Sequence, residues 1–166
     1  MRTRNLFRLV LTGWVTLFAG KALAQQDFGS RCTGNWKGMM SIYSKGVLVD
    51  SVPVTLEVIR QNDSVFRWKM DYLSAKMPIT KDYRLIYKGG NHYQIDEGDG
   101  IRIDTYLFVN RLVSIFETQG ILLTSSYEWK TDELYFEVTS GMKQATDSEV
   151  QSYQVGYLQN VHFKRD

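Results

Sequence analysis

Hydrophobic and polar residues alternate along most of this chain with a period of two, which is typical of β-strands with one dry and one wet face. In the clearest run, residues 66–72, aromatic and aliphatic side chains alternate with charged ones. Polar turn segments such as Gly89-Gly90-Asn91 and Lys130-Thr131-Asp132 separate the runs. No helical periodicity of useful length follows residue 24. The pattern therefore predicts an all-β protein.

The runs predict about ten strands, joined mostly by connections of about two to five residues. Connections this short make neighbouring strands antiparallel, so the predicted topology is an up-and-down meander. A meander with one dry face must hide that face and its two edges, and closure into a barrel does both. A curled open sheet or a sandwich is the alternative.

The first 24 residues have the composition of a signal peptide. Three arginines in the first eight residues precede an apolar run at residues 9–20, and Ala22-Leu23-Ala24 supplies the small residues of a cleavage site. The sequence predicts cleavage between Ala24 and Gln25. The apolar run is shorter than the roughly 20 residues of a membrane span, although a retained amphipathic anchor is an alternative.

Cleavage at this site leaves a mature chain that we divide into a polar lead-in, residues 25–33, and a barrel, residues 34–166. The full chain has 20 basic and 18 acidic residues. Four of the basic residues and none of the acidic ones precede residue 25, so the mature chain keeps 16 basic and 18 acidic residues. A net charge of −2 without a clustered basic face argues against a nucleic-acid partner. The sequence predicts a secreted or periplasmic protein without a transmembrane segment, and it identifies no protein partner.

Cys32 is the only cysteine, which excludes an intramolecular disulfide. The residues before it, Gly29-Ser30-Arg31, lack the pattern of a lipid-modified cysteine. A lone thiol near the first strand is the simpler interpretation, and an intermolecular disulfide is the alternative.

No set of residues has the pattern of a catalytic or metal site. A Ser-His-acid site needs a histidine held by a carboxylate, and the two histidines, His92 and His162, both fall on the wet face of period-two segments. Asp96, Asp99 and Asp104 surround a glycine turn, but their spacing differs from that of an EF-hand loop. The sequence therefore predicts a protein that is not an enzyme and holds neither a metal nor a cofactor.

The segment Gly34-Asn35-Trp36-Lys37-Gly38 opens the first predicted strand. With the meander that follows, it resembles the calycin group of barrels, which includes the lipocalins and fatty-acid-binding proteins, and in particular small secreted lipocalin-like proteins of bacteria. Lipocalins share a Gly-x-Trp at this position, matched here by Gly34 and Trp36. The resemblance implies that Arg165, near the end of the last strand, packs across Trp36, a contact worth about 0.5–2 kcal/mol. These three residues would then close one end of the barrel.

The chain departs from the ligand-binding patterns of two related groups. Fatty-acid-binding proteins carry a two-helix lid and an Arg-x-Tyr carboxylate anchor, whereas this chain has only Ser44-Lys45-Gly46 and Phe163-Lys164-Arg165 at those places. The haem-binding barrels called nitrobindins carry a histidine on the inner face of the last strand, and His162 falls on the opposite face. The departures argue against a fatty-acid anchor and against haem.

The aromatic residues of the dry face are the best candidates for function. A closed barrel would point them inward, where phenol and indole groups suit a neutral hydrophobic molecule. The sequence therefore predicts a secreted lipocalin-like barrel that binds a small neutral hydrophobic ligand, and the candidate lining residues are Trp68, Met70, Tyr72, Tyr83, Tyr87 and Tyr93. Because each aromatic side chain buries about 150–250 Å², the alternative is a filled barrel that serves as a structural or interaction module of the cell envelope.

Overall fold

The computed structural model describes residues 27–145 and 149–166. The predicted signal peptide, its cleavage site and the first two residues of the predicted lead-in lie outside these residues. Within them one short helix precedes ten β-strands: α1 (Phe28–Cys32), β1 (Gly34–Ser44), β2 (Val47–Arg60), β3 (Val65–Tyr72), β4 (Ile79–Gly89), β5 (His92–Gly98), β6 (Ile101–Phe108), β7 (Arg111–Thr118), β8 (Ile121–Lys130), β9 (Glu133–Lys143) and β10 (Tyr153–Arg165).

The strands form a closed antiparallel barrel in which each strand pairs with its neighbours in sequence. The first strand also pairs with the last, in a register that sets Trp36 opposite Arg165 and Met40 opposite Val161. This closure leaves no free sheet edge among the ten strands. The predicted all-β meander and its closure into an up-and-down barrel are confirmed, and the open sheet and the sandwich are excluded.

Two-residue turns join several of the strands at the predicted polar segments. Lys45-Gly46, Asp99-Gly100 and Gln119-Gly120 each have positive φ at both residues, as a type I′ turn requires. Thr131-Asp132 has the same signs without a glycine. These turns match the right-handed twist of the flanking strands, so the chain reverses without splaying the sheet.

The segment before the first strand is more than a polar lead-in. Asp27 caps the helix α1 by accepting hydrogen bonds from Ser30 N and Ser30 Oγ, at 3.1 and 2.7 Å. Phe28 and Cys32 are both fully buried in the core. A helix of five residues is too short to show helical periodicity, and Phe28 and Cys32 are its only apolar residues besides Gly29, which is also buried. The helix fills one end of the barrel, which we call the closed end.

Trp36 and Arg165 seal the closed end, as the resemblance to lipocalins implied. The Arg165 guanidinium carbon lies 4.3 Å from the centre of the Trp36 ring. Its two terminal nitrogens donate to the carbonyl oxygens of Thr33 and Arg31, at 2.7 and 2.9 Å. Trp36 Nε1 donates to the carbonyl of Cys32 at 2.8 Å. One arginine and one indole therefore hold the helix, the first strand and the last strand together.

Two glycines of the same segment allow this close packing. A Cβ atom at Gly34 would lie 2.8 Å from Arg165 Nη1, and the residue has a φ of +132°, which favours glycine. A Cβ atom at Gly38 would lie 2.5 Å from the carbonyl oxygen of His162 on β10. The first and last strands therefore approach each other more closely than larger residues would permit.

Candidate ligand-binding site

The interior of the barrel contains a cavity of about 260 Å³. It extends toward the end opposite α1, the open end, which carries the β1–β2, β5–β6 and β7–β8 turns. Its walls are mainly aromatic and aliphatic side chains from β3 to β9, including Trp68, Met70, Tyr72, Tyr83, Phe116, Leu123, Tyr127 and Phe136. The closed half, by contrast, is filled by its own side chains, among them Phe28, Trp36, Phe66 and Phe163.

An aromatic cluster separates the cavity from the closed half. The rings of Trp68 on β3 and Tyr127 on β8 meet edge to face across the lumen, with centroids 5.0 Å apart. Tyr127 also stacks on Phe136 at 4.5 Å, and Trp68 stacks on Phe28 of the helix at 6.4 Å. Such contacts add to the stabilisation from burial. The cluster forms the floor of the cavity.

Three phenols, those of Tyr72, Tyr83 and Tyr127, line the cavity. Burial, and to a lesser extent the Glu97 carboxylate, raises the pKa of Tyr72 to about 12. Burial and then Glu97 also raise the pKa of Tyr83, and burial raises that of Tyr127 well above 10. The three hydroxyls therefore stay neutral at physiological pH and can donate hydrogen bonds to a ligand.

The indole N–H of Trp68 is buried and makes no hydrogen bond within the described residues. It nevertheless lowers the pKa of Tyr127 slightly against the larger effect of burial. The two groups are thus close enough for their dipoles to interact while their geometry falls short of a hydrogen bond. The floor of the cavity therefore holds a buried N–H donor, that of Trp68, without a hydrogen-bond partner among the described residues.

Four of the six predicted lining residues come together at the cavity: Trp68, Met70, Tyr72 and Tyr83. Tyr87 and Tyr93 lie on the same face of the sheet but nearer the closed end, with their rings 5.1 Å apart. The Tyr93 hydroxyl accepts a hydrogen bond from Phe28 N at 3.1 Å, so it holds the helix in place. Tyr93 is fully buried and forms part of the hydrophobic core.

Lys81 and Glu97 line the mouth of the cavity, and the sequence analysis did not identify either residue. Lys81 lies opposite Met70 in the β3–β4 register, and Glu97 follows Ile95 at the inward-facing spacing on β5. The glycine- and aspartate-rich composition around Glu97 predicts a turn at this position. In the structure the strand continues to Gly98, with an irregular register after Asp96. The inward position of Glu97 therefore does not follow from the composition of the segment.

The histidines lie on the outer face of the barrel, as the alternation predicted. His92 Nε2 is 2.9 Å from Asp104 Oδ1, and His162 Nε2 is 2.8 Å from Glu133 Oε2. Each imidazole also stacks on a tyrosine. Asp96 is buried and pairs with Arg84 at 2.9 Å, whereas Asp104 lies beside His92. Across residues 27–145 and 149–166, no three Asp, Glu, His or Cys side chains converge as a metal site would require.

The topology, the Gly34–Trp36–Arg165 closure and the internal cavity together define a calycin-like β-barrel. Solved structures support this assignment. The phycobiliprotein lyase CPES from Guillardia theta superposes with a TM-score of 0.64 and 10% sequence identity, over 84% of this chain and 90% of that one. A protein of unknown function from Nostoc punctiforme superposes with a TM-score of 0.60 and 12% identity, over 83% of this chain and 49% of that one.

A third structure, Rv2717c from Mycobacterium tuberculosis, gives a TM-score of 0.50 at 12% identity, over 82% of this chain and 94% of that one. No protein-family model matches the sequence, and no curated protein matches it. At these identities the similarity concerns the fold alone. No helix among the described residues has the length and apolar character needed to cross a membrane.

Proposed function

We propose that the protein is exported and binds a compact hydrophobic small molecule in its internal cavity. The cavity itself is the observation that carries the proposal. Ligand pockets typically measure about 300–1,000 Å³ and combine apolar walls with a few polar groups. A cavity of about 260 Å³ with aromatic walls and three neutral phenols is slightly smaller than the lower limit of that range. The ligand is therefore small, with an apolar body and a polar end.

The filled barrel is the competing function, because small barrels are often packed solid by their own side chains. Here the residues that fill the lumen belong to the closed half, while the walls of the open half leave space. The contrast between the two halves of one barrel favours binding over a purely structural role.

A fluorescence titration with the neutral apolar dye N-phenyl-1-naphthylamine tests the proposal. Val138 lines the cavity, so Val138→Trp should fill it and abolish the increase in dye emission. Ile115 is exposed on the outside of the barrel, and Ile115→Trp adds the same bulk there, so this control should bind the dye as the wild type does. Equal dye binding by all three proteins, or by none, would refute a binding site in the cavity.

Export has its own test, because the cavity does not bear on it. Expression of the full chain in a Gram-negative host, followed by fractionation and intact mass measurement, should give a soluble periplasmic or external protein that begins at Gln25. A product that keeps residues 1–24 and remains with the membrane would support the retained anchor instead.

A further inference from the structure

The carboxylate of Glu97 has no cationic partner at the mouth of the cavity. Neighbouring carboxylates on the outer face are paired, since Asp82 lies 2.6 Å from Arg67 and Asp96 lies 2.9 Å from Arg84. Among the described residues, no lysine, arginine or histidine nitrogen lies within 4.0 Å of the Glu97 carboxylate. A carboxylate beside apolar walls without a counter-ion loses hydration and gains no compensating ion pair.

The same carboxylate acts electrostatically on the inside of the cavity. It raises the pKa of both Tyr72 and Tyr83, and it is the formal charge to which both phenols respond. Glu97 therefore contributes a negative potential near these two phenols, which favours a cation and opposes a carboxylate ligand.

The walls of the cavity favour a cation for a second reason. Aromatic faces attract cations through the ring quadrupole when the charge lies within about 6 Å of the ring centre. Lys81 already illustrates this attraction, because its ammonium lies 6.0 Å from the centre of the Tyr83 ring at the mouth. Deeper in the cavity, the rings of Trp68, Tyr72, Tyr127 and Phe136 have no such partner within the described residues.

From the aromatic walls and the unpaired carboxylate we infer that the ligand is an organic cation, an amine or quaternary ammonium compound with a compact apolar body. Glu97 is its counter-ion, and the aromatic rings surround its charged group. This inference rests on the proposed binding function and specifies the class of ligand. It also revises the neutral ligand expected from the sequence, because Lys81 and Glu97 are not among the lining residues that the sequence predicts.

Two probes of nearly identical shape isolate the contribution of charge. Phenyltrimethylammonium and tert-butylbenzene differ in whether nitrogen or carbon carries the three methyl groups, and neither titrates. Each is used to displace N-phenyl-1-naphthylamine from the wild-type protein, from Glu97→Gln and from Asp99→Asn. The last is the matched control, because Asp99 is an exposed carboxylate in the turn that follows Glu97 and lies outside the cavity lining.

We expect the wild type and Asp99→Asn to bind the cation more tightly than the hydrocarbon. Glu97→Gln should lower the affinity for the cation by about five- to thirtyfold, as the loss of one charge contact near aromatic walls predicts. The affinity for tert-butylbenzene should stay unchanged. Lys81→Met should raise the affinity for the cation, because it removes a competing ammonium from the mouth of the cavity.

The outcomes separate this inference from the proposed function. If both probes bind equally, or if Glu97→Gln affects both alike, the cavity is a binding site but its ligand class is wrong. If only the hydrocarbon binds, the inference is also overturned. If neither probe displaces the dye and the dye itself does not bind, the proposed function fails and the inference fails with it.

Discussion

Replacement of Trp36 by alanine should lower the free energy of unfolding by about 3–5 kcal/mol, the range for truncating a large buried aromatic side chain. Trp36 is only 1% exposed, so nearly all of its indole surface would be replaced by a void. The variant also loses the hydrogen bond from Trp36 Nε1 to the Cys32 carbonyl. It further removes the nearer of the two indole rings over which the Arg165 guanidinium lies, and leaves only that of Trp129.

Urea denaturation of the protein that begins at Gln25, followed by circular dichroism, measures this loss. Trp36→Phe is the graded control, because it keeps a ring beneath Arg165 but removes the N–H donor, and it should cost about 1–2 kcal/mol. Since a domain of this size is stable by about 5–15 kcal/mol, the phenylalanine variant should fold even if the alanine variant does not. A loss below about 1 kcal/mol for Trp36→Ala would refute the role of this residue in closing the barrel.

Three further predictions concern other parts of the barrel. Val109 has a φ of 59° and is 90% exposed. Val109→Asn should therefore relieve backbone strain and raise the Tm by about 2–4 °C. Val47→Asn is the control, because Val47 has an ordinary φ, and it should not raise the Tm. Cys32 is fully buried, and burial raises the pKa of its thiol, so the thiol should resist Ellman's reagent until the protein unfolds. Rapid labelling of the native protein would contradict this prediction and would favour the alternative of an intermolecular disulfide. Because burial raises the pKa of Tyr72 to about 12 while an unfolded tyrosine ionises near pH 10, the contribution of Tyr72 to stability should be constant below about pH 9. Stability should then fall as the pH rises from about 10 to 12, and a flat profile across that range would show that the phenol is solvated.

The alternation of residue types was sufficient to predict the strands, their order and the closure of the barrel. It identifies the face on which a side chain lies because the period of a strand is two. It does not identify the height of that side chain along the barrel axis. Tyr87 and Tyr93 were therefore assigned to the correct face but to the wrong end, where Tyr93 holds the helix instead of lining the cavity.

The helix α1 and the inward positions of Glu97 and Lys81 could not be predicted from the sequence, for physical reasons. The helix α1 has five residues, fewer than two turns, so its buried Phe28 and Cys32 could not show a helical repeat. Glu97 lies in a glycine- and aspartate-rich segment that has the composition of a turn, and only the paired backbone shows that the strand continues through it. Lys81 is polar and exposed, and its inward position follows from its register opposite Met70.

The most direct test of the central claim is to locate a bound probe. Isotope-filtered nuclear Overhauser measurements on labelled protein with phenyltrimethylammonium observe contacts between the methyl protons of the probe and individual side chains. A ligand in the cavity should show contacts to the ring protons of Tyr72, Tyr127 and Phe136, which line it. Contacts confined to exposed side chains such as Val47 and Tyr157 would show that the probe binds outside the barrel and would contradict the account.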